Sequence, residues 1–285
     1  MGLNQIKSLI VGKSIRSFPF ITLVIHLYYK NKYGYFYNRF QLVVVVILFI
    51  LTHFPSGLPR FQIAAVYIAL MLVHIKTFNN KYFFKIAILV GLLILFPLLG
   101  VFRHISINTI FNSTIKIFNP IELFLTGDFD AYSMLARSLI YVDFNGITFG
   151  KQLLGSLFFF IPRAIWPTKP IGSGAMVGDS FNWQFTNISM PFIGEGYINF
   201  GLFGVIIFAV FLGYINSRLD MSYKIKTEIS DSISALKIYY PVLIGFLFFI
   251  LRGDLLSSWA YTVGYFFPVL FFVIIDKILT NIKNN

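Results

Sequence analysis

No cysteine occurs in the 285 residues, which excludes disulfides and thiolate chemistry and fits either side of a membrane. Acids are scarce as well: 11 Asp and Glu stand against 23 Lys and Arg, so any carboxylate chemistry rests on a handful of positions. Charge of either sign makes up 12% of the chain, where soluble domains carry roughly a quarter. That leaves no polar stretch from which a large soluble domain is built. Walker-type, HExxH and GxSxG elements are missing, and no close acidic pair demands a divalent ion. No metal and no cofactor are expected, and the reaction class left is a metal-free transfer driven by phosphate electrostatics.

What the chain has in abundance is hydrocarbon. Hydrophobic residues make up 57% of it, aromatics 19%, and the mean hydropathy is +0.78, which predicts an integral membrane protein. A span needs about 20 predominantly apolar residues, so the length allows several helices in a single membrane domain. The net charge of +12 sits at the edges of apolar runs, as topogenic Lys and Arg do, and no nucleic-acid partner is expected. Lys13 and Arg16 interrupt the first apolar stretch and no small-residue cleavage site follows, so no removable signal peptide is expected.

Six apolar runs read as transmembrane helices: 41–56, 61–76, 84–102, 193–215, 236–251 and 256–275. The first two are joined by "HFPSGLPR", whose prolines and glycine predict a helical hairpin. Counting Lys and Arg orients the set. Lys30, Lys32 and Arg39, then Lys76, Lys81 and Lys85, then Arg218, Lys224 and Lys226, and finally Lys277 and Lys283 fall on the cytoplasmic side. The hairpin tip at 54–60, a large loop at 103–192 and "RGDLLSS" at 252–258 share the opposite, periplasmic face. Residues 1–40 are expected to be a cytoplasmic or interfacial segment, with 18–29 too short for a comfortable span. The run "GKQLLGSLFFFIP" at 150–162 breaks the alternation if counted as a span, so it is expected to form a re-entrant or interfacial helix within the large loop.

Three arginines arrive at that periplasmic face from distant positions: Arg103 in "GVFRHIS", Arg163 in "IPRAIWP" and Arg252 in "FFILRGD". Each alone fits snorkelling to headgroups. As a set they fit a diphosphate, because a guanidinium fork binds phosphate oxygens bidentately and keeps its charge. Lys169 adds a mobile point charge on the turn of Arg163, and Trp166 offers a ring for stacking on a sugar or for anchoring at the interface. Glu195, at the start of an apolar helix, is the first candidate for the base that activates an acceptor hydroxyl. Asp254 is the second, with orienting Arg252 as its alternative role. Asp128 and Asp130 fit an ordinary N-cap of the amphipathic stretch that begins there, and His104 lies beside Arg103.

The elements "GDFDAYSMLARSLIYV", "GKQLLGSLFFFIPRAIWPTKPIGSG", "SMPFIGEGYINFGLFGV" and "RGDL" follow one another in the order and approximate spacing of the O-antigen polymerases. Over roughly residues 84–260 the chain resembles these Wzy-type oligosaccharide repeat-unit polymerases, with "IPRxxWPxKP" as the most specific element. The resemblance implies a multi-pass enzyme of the bacterial inner membrane, with a fold similar to the lipid-dependent glycosyltransferases of the GT-C class. It implies transfer of a growing glycan from undecaprenyl pyrophosphate onto another lipid-linked repeat unit. It puts Arg163 and Lys169 on the family's basic turn, Arg252 on its late external arginine and Arg103 on the arginine opening the external loop. Arg137 and Asp130, in the first element, join Lys169 and Trp166 as expected substrate-binding positions. Donor and acceptor glycolipids, membrane lipid, a chain-length regulator and a flippase are the partners implied. Family members carry more helices ahead of the matching region, so a shortened N-terminus is expected. An O-antigen ligase needs the same pyrophosphate grip, and the proline-rich element favours the polymerase. A flippase or transporter of lipid-linked oligosaccharides is expected to show internal repeats and charges at the midplane, whereas these charges crowd one face.

Overall fold

A computed structural model describes residues 3–36, 38–54, 58–73, 81–95, 130–185, 188–229 and 234–284, and among them no strand occurs. Lys76, residues 96–102 of the third apolar run, Arg103, His104 and Asp128 lie outside the described residues, as do the side chains of Lys7, Lys13, Lys81, Lys277 and Lys283. In chain order the helices are α1 (Leu3–Tyr33), α2 (Arg39–Thr52), α3 (Arg60–Val73), α4 (Lys81–Val90, running into a π-helical turn Gly91–Leu95), α5 (Ala131–Asn145), α6 (Lys151–Leu157), α7 (Ser173–Ser180), α8 (Phe192–Ile229), α9 (Ala235–Arg252) and α10 (Leu255–Asn284).

Among the described residues two helices are long and apolar enough to cross a membrane. They are Phe192–Thr227, with a mean hydropathy of 2.3, and α9, with 1.7. Only 22% of the most apolar stretch of the first is buried, far too little for the core helix of a water-soluble domain. α2 and α3 are equally apolar but stop at 14 residues each. α2 and α3 flank "HFPSGLPR", of which residues 55–57 lie outside the described residues, and the Phe49 ring of α2 meets the Tyr67 ring of α3 at 5.9 Å. At seven residues α6 reaches about 10 Å, too short to cross.

One apolar core gathers Phe20, Ile21 and Val24 of α1, Val45 and Phe49 of α2, Ala65, Val66 and Ala69 of α3, Val242 and Phe246 of α9, and Tyr265 of α10. Small residues bring α3 and α9 together: a Cβ added to Gly245 meets the Ala65 carbonyl oxygen at 2.2 Å, so the backbones touch there, as small-residue seams allow. α1 differs from its sequence reading. It is one 31-residue helix that buries one face of its middle against α2 and α10, because Phe20, Ile21 and Val24 recur at helical spacing within "FPFITLVIHLYY". The Ser17 hydroxyl lies 3.3 Å from the Gly264 carbonyl across that contact. A second core unites Met134 of α5, Val177 of α7, Ile198 of α8, and Ile188 and Met190.

α8 is broken. Phe200 (φ −142°) and Gly201 (φ +64°, ψ −148°) leave helical geometry, and Gly201 occupies a region that side chains avoid. The eight residues before the break are largely buried and carry Glu195 and Asn199. Those after it present Leu202, Phe203, Ile206, Ile207, Val210 and Phe211 outward. The two parts meet at Gly196 and Gly204, where an added Cβ on Gly204 falls 1.9 Å from the Gly196 oxygen. Near its far end α8 is tied to α9: Tyr240 donates to Asp220 at 2.9 Å, Lys224 pairs with Asp220 at 2.8 Å, and Tyr223 stacks on Tyr240.

Candidate functional site

The "FFFIPRAIWPTKPIGSG" segment runs from the end of α6 to the start of α7. α6 ends in a tight turn over 158–160 that leaves carbonyls without helical partners. Lys169 supplies donors: its ammonium donates to Phe159 O and, at 3.0 Å, to Ile161 O. The lysine expected to be mobile is thus buried and fixed. Burial lowers its proton affinity, and the neighbouring Arg163 charge lowers it further. Within the loop it closes, Ile165 N–H and Trp166 N–H both donate to the Pro162 carbonyl, making a compact turn. Arg163 emerges from this turn, and among the described residues it makes no ion pair.

Arg163 and Lys169 open onto a cavity of about 590 Å³. Arg60 at the start of α3 and Arg252 at the end of α9 line it too, together with Asp130, Asp254, Phe61, Phe185, Ser189 and Tyr261. Four cationic residues and two acidic ones therefore line one half-open cavity. Arg252 is held by Asp130 at 2.8 Å and lies 4.0 Å over the ring of Phe61, which itself stacks on Phe249. Asp130 also accepts the Ser189 hydroxyl at 2.6 Å. It stands at the N-cap position of α5 but makes no side-chain capping bond, because its carboxylate is committed to Arg252 and Ser189. The orienting role weighed for Asp254 belongs to Asp130.

Asp254 lines the cavity, and Glu195 lies buried next to it. Asp254 Oδ2 accepts the Gly174 N–H at 3.0 Å and Oδ1 accepts the Ser257 N–H at 3.2 Å, while its carboxyl lines the cavity. Burial pushes its pKa up, and the bonds from the Gly174 and Ser257 N–H groups partly offset this. Glu195 sits behind it with no exposed surface, accepting the Leu255 N–H at 3.0 Å and the Ser173 hydroxyl at 2.6 Å. Together the two carboxyls fasten the start of α7 to the turn between α9 and α10. Gly172 is required there, since a Cβ would lie 2.5 Å from Asp254 Oδ2. The accessible candidate for the base is Asp254. Glu195, ranked first from sequence, positions α7 and does not face the cavity.

Arg163, Lys169, Arg252, Asp130 and Asp254 are thus brought together from three sequence-distant places. Trp166 and Arg137 do not line the cavity: Trp166 is half-buried in its turn, and Arg137 lies 4.8 Å over the ring of Trp183. Arg60 was not singled out from sequence, although its place at the end of "HFPSGLPR" puts it on the face shared by the other arginines. Phe185 and Ser189 carried no signal, because a lone aromatic or serine in a loop has no periodicity to mark it. Comparison with family models, curated proteins and solved structures finds no match for this chain.

Proposed function

We propose that this chain is a multi-pass inner-membrane glycosyltransferase that polymerises lipid-linked oligosaccharide repeat units, as an O-antigen polymerase does. The observation that carries the reading is the convergence of Arg60, Arg163, Lys169 and Arg252 on one cavity against only Asp130 and Asp254. A diphosphate that bridges a polyprenol and a sugar bears two negative charges, and guanidinium forks match its oxygens. The membrane setting is supported by the outward hydrocarbon of α8 and by the exposed Phe40, Val43, Ile47, Ile50 and Leu51 of α2. In this reading α2, α3, α4, α8, α9 and α10 supply about six crossings of a GT-C-like bundle, and the short α6 and α7 are the re-entrant part that lids the cavity.

The transfer then runs as follows. The acceptor hydroxyl oxygen bonds to the anomeric carbon of the donor sugar while the bond from that carbon to the pyrophosphate oxygen breaks through an oxocarbenium-like state. Polyprenyl pyrophosphate leaves with the electron pair, and Arg163, Arg252 and Arg60 stabilise the charge that grows on it. Asp254 takes the proton from the acceptor hydroxyl. A raised proton affinity suits that task, since a base must hold the proton it removes. The Gly174 and Ser257 N–H groups hold the Asp254 carboxyl in place for that step.

The test expresses this chain, wild type and Arg163→Ala, in a strain lacking its own repeat-unit polymerase, with extracted glycolipid run on a gel. A ladder from wild type that collapses to single repeat units in Arg163→Ala is expected, from a loss of roughly a hundredfold in rate. Single units from a folded, inserted wild type refute the polymerase, and unattached long polymer in a deletion strain identifies a ligase instead.

A further inference from the structure

We propose that the connection between α1 and α2, together with the outward face of α2, binds an anionic phospholipid. The site is separate from the cavity and does not depend on the glycan-transfer reading. It begins with a charge imbalance: the first acidic residue of the chain is Glu122, so no acid lies near Lys30, Lys32 and Arg39 in the sequence. Among the described residues none of the three pairs with a carboxylate in space either. Lys30 lies instead 4.8 Å over the ring of Phe36, and Lys32 lies 4.9 Å over that of Tyr33.

The connection is well defined at both ends. Gly34, at φ +79°, ends α1 and donates to the Lys30 carbonyl at 2.9 Å. The Asn38 side chain caps α2 by accepting the Gln41 N–H at 3.1 Å. Asn31 Nδ2 donates to the Val73 carbonyl at 2.5 Å, which ties the end of α1 to the end of α3. Beside the cations stand the exposed rings of Tyr33 and Tyr35, a residue type that settles at membrane interfaces. Beyond Arg39, the exposed Phe40, Val43, Val44, Ile47 and Leu51 follow the i, i+3, i+4, i+7, i+11 spacing of one helix face. That stripe runs about 17 Å, close to the roughly 15 Å of hydrocarbon in one leaflet.

Charge and stripe together select the occupant. A dissolved phosphate meets the cations and leaves the stripe bare. A zwitterionic lipid covers the stripe but brings no net charge to the cations. An anionic phospholipid does both: its phosphodiester accepts from Arg39 and the two lysines, and an acyl chain lies along α2.

The experiment attaches a bimane to a single introduced thiol, since the chain has no cysteine. Ile47→Cys, within the α2 stripe, and Ile207→Cys, exposed on α8, are each labelled in the full chain in phosphatidylcholine nanodiscs. Phosphatidylglycerol or phosphatidylcholine with a doxyl quencher on its acyl chain is included at equal mole fraction. For the Ile47→Cys label the phosphatidylglycerol quencher is expected to bind about fivefold more tightly, the order that one basic residue at a charged surface gives. For the Ile207→Cys label both quench alike. Lys30→Gln, Lys32→Gln and Arg39→Gln together remove the preference, Lys30→Arg with Lys32→Arg keeps it, and about 1 M salt weakens it. Equal quenching by the two lipids at Ile47→Cys, the same preference at Ile207→Cys, or a preference that survives the three Gln substitutions overturns the site. Where the Gln form does not fold, salt acting on the labelled chain with its cations intact decides: a preference insensitive to salt overturns the site as well.

Discussion

At the scale of single residues, the site depends on which carboxyl is reachable. Asp254 has a raised proton affinity in the folded protein, so as a base it becomes active only as pH rises above the ordinary carboxylate range. The acidic limb of the kcat/KM profile is therefore expected above that range in wild type, and Asp254→Asn is expected to abolish it along with most activity. The same shift acts on stability in the opposite sense. A carboxyl whose folded pKa is raised stabilises the fold most below its unfolded pKa, and that contribution is lost as pH rises through the folded value. Glu195 is expected to behave differently. Glu195→Ala leaves the Leu255 N–H and the Ser173 hydroxyl unsatisfied in a buried place and costs about 1–3 kcal/mol in a thermal or denaturant melt. Glu195→Gln retains an acceptor for Leu255 and is expected to keep most of the activity, a result that a true base could not give. The sequence made both carboxylates conspicuous because acids are so few. It did not order them, because access depends on which atoms the Gly172–Gly174 backbone claims, and hydrogen bonding across 60 and 80 residues leaves no local pattern.

Elements were legible wherever hydrophobic run length decided the matter. α2, α3, α9 and α10 follow from their apolar runs and bounding charges, and the tight turn around Arg163 follows from its prolines. α1 was not legible as a core helix, because charged interruptions made its apolar stretch look short. Its burial comes from α2 and α10, which lie on it from one side only. The break in α8 was not legible either. "NFGLFG" reads as unbroken span, and only the close approach of Gly196 and Gly204 requires Gly201 to leave the helix. Replacing Gly204 by Ala is expected to push these segments apart, with a loss of about 1–3 kcal/mol as in other overpacked contacts. The check is the melting temperature in detergent together with polymer yield, both of which are expected to fall. Gly213 makes the internal control: it lies beyond the break with open space around it, and Gly213→Ala is expected to leave both unchanged.

For the whole molecule, the reading stands on orientation: the cavity on the periplasmic side, and the end of α8 near Asp220 and Lys224 on the cytoplasmic side. The absence of native cysteine makes this directly measurable, since any introduced thiol reports alone. Gln184→Cys, exposed near the cavity rim, is expected to react with a membrane-impermeant maleimide in cells whose outer membrane has been permeabilised. Ser222→Cys, exposed on the far arm of α8, is expected to react only after the inner membrane is opened. The opposite pattern would place the cations in the cytoplasm and remove the lipid-linked periplasmic substrate. The cavity was not legible from sequence, since its wall joins residues 59–61, 130, 163–189 and 249–261. That wide separation has a consequence for synthesis. α1 packs on α10, and the bond between Ser17 and Gly264 spans 247 positions, so this contact of α1 waits until α10 has been made. At about 5–20 residues per second the wait is on the order of tens of seconds. During that interval Phe20, Ile21 and Val24 have α2, then α3 and α9, to pack against. The wall of the cavity is finished only when Leu256, Ser257 and Tyr261 of α10 join the residues that precede them.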